Sequence, residues 1–188
     1  TNDPKHYADG IKTHVISPFP IPDHWARYRS FDFGYSRPFS VGWWAVSPTG
    51  ICYRYREWYG CDGTPNVGIK LQPGQIAQGI WQAEEEERKR GIQFLGVADP
   101  SIFDVSRGES VAGLMMREGV YFTPGDNSRI QGKMQLHEKL RFGPDGRPGL
   151  YVFTNCVDFI RTIPELPYDP IKVEDVDTSS EDHVFDEV

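Results

Sequence analysis

Residues 92–99 read Ile92-Gln93-Phe94-Leu95-Gly96-Val97-Ala98-Asp99. A short apolar run that stops at an acid and a proline is typical of a buried strand, here one that ends at Asp99. A helical pattern over residues 110–118 and a second short apolar run over residues 120–123 follow. A strand, a helix and a strand in this order predict two parallel strands joined by a crossover helix.

Three runs of β-branched and aromatic residues precede this unit, at residues 27–32, 40–46 and 51–58. The turn sequence Ser47-Pro48-Thr49-Gly50 joins the last two runs, so the three runs predict an antiparallel meander. Residues 75–90 then form an amphipathic pattern with acids early and bases late, which suits the dipole of a long helix.

The rest of the chain predicts helices at residues 128–141 and 155–163, with a strong turn signal at residues 143–149 between them. The apolar residues that flank this turn predict a β-hairpin. A last helix is expected to begin at the serines before Glu181, which would cap it. The fold class is therefore α/β: a mixed five-stranded sheet flanked by helices, with an added β-hairpin.

Composition fits one globular domain, with 188 residues of which 38% are apolar. No apolar run is long enough for a membrane helix and no signal peptide is present, so we expect an intracellular, soluble protein. Cys52, Cys61 and Cys156 form no CxxC pair, which argues for reduced thiols. The net charge of −7 comes from seven acids in residues 173–188, since the rest is neutral.

Two acids stand at strand ends, Asp32 after one run and Asp99 after another. If their strands are neighbours, the two carboxylates meet and repel unless a cation lies between them. Mg²⁺ and Mn²⁺ prefer such oxygen ligands. A third acid, Asp186, would complete a site for two metals roughly 3.5–4 Å apart, which can activate water for phosphodiester cleavage. The alternative for each acid is a turn-capping role.

Three stretches carry a resemblance to a known family: residues 31–35 (Phe-Asp-Phe-Gly-Tyr), residues 96–101 (Gly-Val-Ala-Asp-Pro-Ser) and residues 181–186 (Glu-Asp-His-Val-Phe-Asp). In this order, and behind a proline-rich segment with Trp25, they resemble the nuclease domain of the large terminase subunit of tailed bacteriophages. That family belongs to the ribonuclease H-like group. The resemblance covers nearly the whole chain from about residue 20.

The resemblance implies that Asp32, Asp99 and Asp186 bind the metals and that His183 lies beside them, able to position water or a phosphate. Asp182 is a possible extra ligand, although an acid in the first turn of a helix also suits the helix dipole. The implied cofactors are Mg²⁺ or Mn²⁺, as two ions by the pattern of the family. The implied activity is cleavage of concatemeric double-stranded viral DNA during genome packaging, in the cytoplasm of the host cell.

The resemblance also implies partners, namely the N-terminal packaging ATPase of the same subunit, the small terminase subunit and the portal. No P-loop occurs, because residues 125–134 have the wrong spacing and lack Ser or Thr after Lys133. We therefore expect residues 1–24 to be a linker from a missing ATPase domain. Residues 25–188 would be the nuclease domain, with its last helix truncated.

DNA contacts are expected from basic residues near the strand ends, the helices and the predicted hairpin. The candidates are Arg37, Arg107, Arg129, Lys133, Arg141 and Arg147. Asp104 and Glu57 could lie near the site but are more typical of turn or surface acids.

Other functions remain open at this stage. A pair of carboxylates could serve as the acid and nucleophile of a metal-independent glycoside hydrolase. The same scaffold could also be an inactive module that docks nucleic acid or protein. The tryptophans and tyrosines of the meander could form a stacking platform, although packing on the sheet explains them more simply.

Overall fold

Four strands precede the first helix in residues 13–106, 108–126, 128–165 and 182–188, which this computed structural model describes. The strands are β1 (Val15–Ile16), β2 (Ala26–Asp32), β3 (Ser40–Val46), β4 (Cys52–Tyr59), β5 (Phe94–Ala98), β6 (Thr123–Pro124) and β7 (Leu150–Phe153). The α-helices are α1 (Pro73–Lys89), α2 (Val111–Arg117), α3 (Arg129–Leu140), α4 (Val157–Thr162) and α5 (His183–Glu187). Short 3₁₀ turns follow β5 and α4, at Pro100–Phe103 and Ile163–Glu165.

The strands of the described chain form one sheet in the order β1-β7-β4-β3-β2-β5-β6. The meander is confirmed, because β3 pairs antiparallel with both β2 and β4. All the other pairs are parallel, including the predicted pair of β5 and β6. Every strand except β3 therefore runs in the same direction, and their last residues meet at one side of the sheet, the carboxyl edge.

The α/β class is confirmed, but the sheet has seven strands where the sequence predicts five. Residues 143–147 do turn, since the Gly143 amide donates to the Arg147 carbonyl at 2.8 Å. No regular hairpin follows, because only a single bridge joins Phe142 and Pro148. The next residues, Leu150–Phe153, instead enter the sheet as β7. All four are buried, and a parallel interior position protects them on both faces.

Two edge strands are only two residues long, so they give no period that sequence reasoning can detect. One of them, Val15–Ile16, lies inside the segment predicted as a linker and pairs with β7. Residues 1–12 of that segment lie outside the described residues.

The sequence predicts that β5 is buried, but the structure buries only one of its faces. Leu95 is 61% exposed and Val97 is 38% exposed, whereas Gly96 and Ala98 are buried. Because β6 is short and α3 packs mainly against β7, one face of β5 stays partly open.

Helix α1 covers the opposite face of the sheet through Ile76, Ala77 and Ile80. Buried ion pairs reinforce this contact, because Arg29 donates to Glu84 at 2.5 Å and Arg27 lies 3.2 Å from Glu87. Such pairs fix how a helix sits on a sheet, since an unpaired buried charge is costly. The three cysteines are free. In the part of the chain described, none of the helices has the length and apolar character needed to cross a membrane.

Candidate active site

Asp32 and Asp99 stand side by side at the carboxyl edge. Strands β2 and β5 are parallel neighbours, with Phe31 opposite Ala98, and each acid is the next residue along its strand. The Asp99 amide donates to the Phe31 carbonyl at 3.3 Å. The expectation that the two acid-bearing strands are neighbours is thus confirmed.

Asp99 also has the local role that its sequence suggests. Its Oδ1 accepts a hydrogen bond from the Ser101 amide at 2.8 Å and caps the 3₁₀ turn that begins at Pro100. This cap holds the carboxylate at the mouth of the turn, beside the end of β2. A capping role and a place in the site are therefore compatible for this residue.

The Asp32 carboxylate is largely buried and faces His183 of α5. Its Oδ2 lies 3.3 Å from Nδ1 of His183, and Nε2 of the same ring lies 2.8 Å from Oδ1 of Asn66. Burial raises the pKa of Asp32, and the charges of Asp99 and Asp182 raise it further, while the contact with His183 opposes the rise.

Asn66 is a residue of this site that sequence reasoning missed. It lies in the loop between β4 and α1 and has a φ of 63°, a left-handed backbone that asparagine tolerates better than most residues. Its only sequence signal is its place in a turn-forming stretch, and its contact with His183 spans 117 positions.

Helix α5 begins at His183, and Asp182 takes the N-cap position that the sequence assigns to a serine. The predicted serine caps lie outside the described residues. The Asp182 carbonyl accepts from the amides of Phe185 and Asp186, and the Asp182 side chain is buried. Asp186 is exposed, so α5 turns His183 toward Asp32 and Asp186 toward solvent.

A buried ion pair anchors α5 to the sheet, and neither partner was predicted to matter. Glu187 accepts from both terminal nitrogens of Arg54, at 2.9 and 2.7 Å, and both side chains are fully buried. Ser40 and Ser30 also donate to this carboxylate. Nothing in the sequence separates Glu187 from the other acids of the C-terminal segment, because its partner lies 133 positions away.

Between α5, the end of β5 and α3 lies a cleft of about 530 Å³. Asp99 and Asp186 line one side of it, with Asp126 near the start of α3. Helix α3 contributes Gln131, Gly132 and Gln135 to the lining of the same cleft. The cleft therefore brings together two of the three acids predicted to bind metal, and the third, Asp32, lies beside Asp99.

The donor set suits a hard divalent cation, because carboxylate oxygens lie near one another here; burial raises the pKa of Asp32, and the charges of Asp99 and Asp182 add to the rise. Within the described ranges, however, no three His, Cys, Asp or Glu side chains are arranged as a group that could hold a metal ion. The geometry thus brings Asp32 into contact with His183, sets Asp99 beside the end of β2, and places Asp186 with Asp99 on the cleft.

Comparison with known proteins rests on structure, because no protein-family profile and no curated sequence matches the chain. The large terminase of a thermophilic bacteriophage, solved in complex with ADP, matches with a TM-score of 0.73 at 18% identity. The match covers 93% of this chain and 40% of that one. The P22 large terminase nuclease domain matches with a TM-score of 0.67 at 18% identity, over 92% of this chain and 82% of that one.

This chain has the fold of a large terminase nuclease domain. A third structure, the large terminase nuclease from the thermophilic phage G20c with bound cobalt, matches with a TM-score of 0.58 at 11% identity. This match covers 92% of this chain and 88% of that one. The resemblance drawn from the sequence is thus confirmed for the ribonuclease H-like fold. The chain spans about 40% of the length of the large terminase solved with ADP.

On this terminase nuclease fold, the predicted DNA-contacting residues lie at opposite edges. Arg37 is exposed in the loop that follows β2, at the carboxyl edge near Asp32. Arg141 and Arg147 are exposed before β7, whose first residue, Leu150, pairs with the first residue of β4. These two arginines therefore lie at the edge where the parallel strands begin, away from the site.

The other three candidates are less completely placed. Lys133 lies on α3, which borders the cleft, and Arg129 begins that helix, although its side chain is not described. Arg107 lies outside the described residues. Glu57 holds the start of α4, because its carboxylate accepts hydrogen bonds from the amides of Asp158 and Phe159 at 2.6 and 3.1 Å.

Proposed function

We propose that this chain is a metal-dependent endonuclease domain that cuts double-stranded viral DNA concatemers during genome packaging. One observation carries the proposal: Asp32 and Asp99 lie at adjacent ends of parallel strands within a terminase nuclease fold, Asp32 against His183 and Asp99 on the cleft. Acids held together at one edge of a sheet favour a cation-dependent reaction on a phosphodiester.

The proposed cofactor is Mg²⁺ or Mn²⁺, as two ions held by Asp32, Asp99 and Asp186, with Asp182 as a possible further ligand. When bound, the ions neutralise charge on the phosphate and lower the pKa of water for attack in line with the leaving oxygen. Burial raises the pKa of Asp32 and the charges of Asp99 and Asp182 raise it further, so a cation held beside Asp32 would stabilise its ionised form.

His183 is proposed to position water or a phosphate oxygen beside the acids. Its ring is held from both nitrogens, by Asp32 on one side and Asn66 on the other. A ring fixed in this way keeps its orientation while substrate enters, which is what a positioning group requires.

The wider setting is also proposed from the terminase nuclease fold. The nuclease domain would include β1, which pairs with β7 although the sequence predicts a linker over residues 1–24. An N-terminal packaging ATPase of the same subunit would be joined to this domain. The small terminase subunit and the portal would be further partners, and the host cytoplasm the place of action. DNA would be delivered by the motor, since a chain with a net charge of −7 attracts duplex DNA weakly.

The test is conversion of supercoiled plasmid to nicked and linear forms in Mn²⁺, in Mg²⁺ and in EDTA. Asp32→Asn, Asp99→Asn and Asp186→Asn should each reduce the cleavage rate at least about 100-fold, because several kcal/mol of charge stabilisation depend on the ions. Asp145→Asn is the matched control, since Asp145 lies in the turn before β7 at the opposite edge. This control should cut as the wild type does.

Cleavage that persists in EDTA, or that survives Asp99→Asn, would contradict the proposed site. Absence of plasmid cleavage by the wild type in both cations would favour an inactive docking module. Hydrolysis of a glycosidic substrate without metal would favour the two-carboxylate alternative.

A further inference from the structure

We infer that the face of α3 made by Gln131, Gly132 and Gln135 binds the sugar-phosphate backbone of one DNA strand opposite the acids. This inference deepens the proposed function and rests on it. It gives α3 a substrate-binding face, called the α3 wall below. The sequence predicted DNA contacts on this helix only from Arg129 and Lys133.

The first argument concerns Gly132, which lies inside α3 and lines the cleft. A glycine in a helix is destabilising relative to alanine and normally has a packing reason. A Cβ added at Gly132 would meet no atom within 4 Å, so the fold gives no such reason. Two of the four glycines in the described helices differ: a Cβ at Gly79 would overlap Trp58, and one at Gly113 would crowd Ser110. The space beside Gly132 is open on the cleft that Asp99 and Asp186 also line, so a ligand there can approach the helix backbone closely.

The second argument concerns Gln131 and Gln135, which are one helical turn apart and flank Gly132 on the cleft. Both side chains are exposed. Among the residues that the structure describes, none forms a hydrogen bond with either side-chain amide. Each amide offers two N–H donors and one acceptor, which suits phosphate, sugar and base groups without adding charge.

The size of the cleft fits one strand of DNA and is too small for a whole duplex. A volume of about 530 Å³ is that of a small-molecule pocket, whereas a duplex presents grooves and two backbones across a much wider surface. Asp99 and Asp186 line the same cleft as the glutamines. A phosphate between the two walls would meet metal ions held by the acids on one side and amide donors on the other.

The experiment adds volume to this wall by Gly132→Ala and Gly132→Leu, with Gly74→Ala as the matched control. Gly74 lies in α1, and a Cβ there would meet only Glu118, at 3.9 Å. Three quantities are measured for each variant: the Tm, the kcat and KM for plasmid cleavage in Mn²⁺, and the Kd for a short fluorescein-labelled duplex in Ca²⁺.

Gly132→Ala should raise the Tm by about 2 to 3 °C, because alanine favours the helix. The same variant should raise KM and Kd about tenfold, the scale on which one added carbon is excluded from a fitted site. Gly132→Leu should raise both further, and Gly74→Ala should change neither. A purely structural glycine would move Tm without moving KM or Kd.

Gln131→Ala with Gln135→Ala should also raise KM with little change in kcat, while Gln131→Glu should weaken binding more by placing a negative charge against phosphate. Unchanged KM and Kd in Gly132→Leu would overturn the inference while leaving the nuclease in place. A wild-type chain that cuts no DNA would instead remove the proposed function itself.

Discussion

At the scale of single residues, folding disfavours the negative charge of Asp32, whereas the proposed metal site requires it. It ends a buried strand, and its carboxylate is surrounded by the acids Asp99 and Asp182 as well as by His183. Burial and the two acids raise the pKa of Asp32. Holding this group ionised at neutral pH therefore costs stability, as is common for residues retained for function.

This conflict predicts how stability depends on pH. Because its pKa is raised on folding, Asp32 binds more protons in the folded than in the unfolded chain between its ordinary pKa near 4 and the higher folded value. Its contribution to the free energy of unfolding therefore falls as pH rises through this interval. In EDTA, Asp32→Asn should remove this fall and be more stable than the wild type at neutral pH, as measured by urea unfolding from about pH 4 to about pH 8. Asp145→Asn should retain the wild-type profile, and an equal fall in Asp32→Asn would contradict the assignment.

Asp32 and Asp99 could be found from sequence because each ends an apolar strand, and the strand order then brings them together. Asn66 could not be found in this way. Its role comes from a left-handed turn and from a partner on the last helix, and neither leaves a periodic pattern.

At the scale of elements, α5 depends on an anchor rather than on its own helicity. Five residues are too few for a stable helix in isolation. The Glu187 carboxylate holds the helix to the sheet through Arg54, and the same helix carries His183 and Asp186. Stability and site geometry are therefore coupled through one buried ion pair.

We expect Glu187→Ala to lower the free energy of unfolding by about 3 to 5 kcal/mol, because it leaves the buried charge of Arg54 without its main partner. Cleavage should fall together with stability, since the anchor of α5 is lost. Urea unfolding and plasmid cleavage measure the two effects.

The control is Asp23→Ala, which breaks an exposed pair with Arg90 and should cost less than about 1 kcal/mol. Replacing both buried partners, as in Arg54→Met with Glu187→Leu, should restore part of the stability that Glu187→Ala loses. An Ala variant as stable as the wild type would show that α5 is held in another way.

Element prediction from sequence succeeded for long periodic segments such as α1 and the meander. It failed for β1 and β6, because each of these strands is only two residues long. It also failed for β7, which was predicted to pair across the turn at residues 143–149 but pairs with β4. Pairing across the whole chain decides these elements, and local patterns carry no information about it.

At the scale of the whole molecule, the parallel arrangement sorts the surface charges into two groups. Arg37 lies at the carboxyl edge with the acids, whereas Arg141 and Arg147 lie at the opposite edge. These three arginines, predicted together as DNA contacts, therefore lie at two distant parts of the surface. The order of the elements alone did not show this.

This sorting predicts how DNA affinity depends on salt. Arg37→Ala should weaken binding of a labelled duplex and reduce the slope of log Kobs against log salt concentration by about one, as expected for a lost phosphate contact. Arg147→Ala should leave both unchanged, because its side chain lies away from the cleft. Fluorescence anisotropy titrations in Ca²⁺ at several salt concentrations measure this, and equal slopes for the two variants would contradict the sorting.

The distance along the chain between Asp32 and His183, 151 positions, has a consequence for biosynthesis. The meander and β5 can fold while the ribosome is still translating, since their contacts lie within the first hundred residues. Neither the pairing of β1 nor the contact of Asp32 with His183 can form until β7 and α5 have left the exit tunnel. A nascent chain would therefore pair β2 to β5 before Asp32 can meet His183.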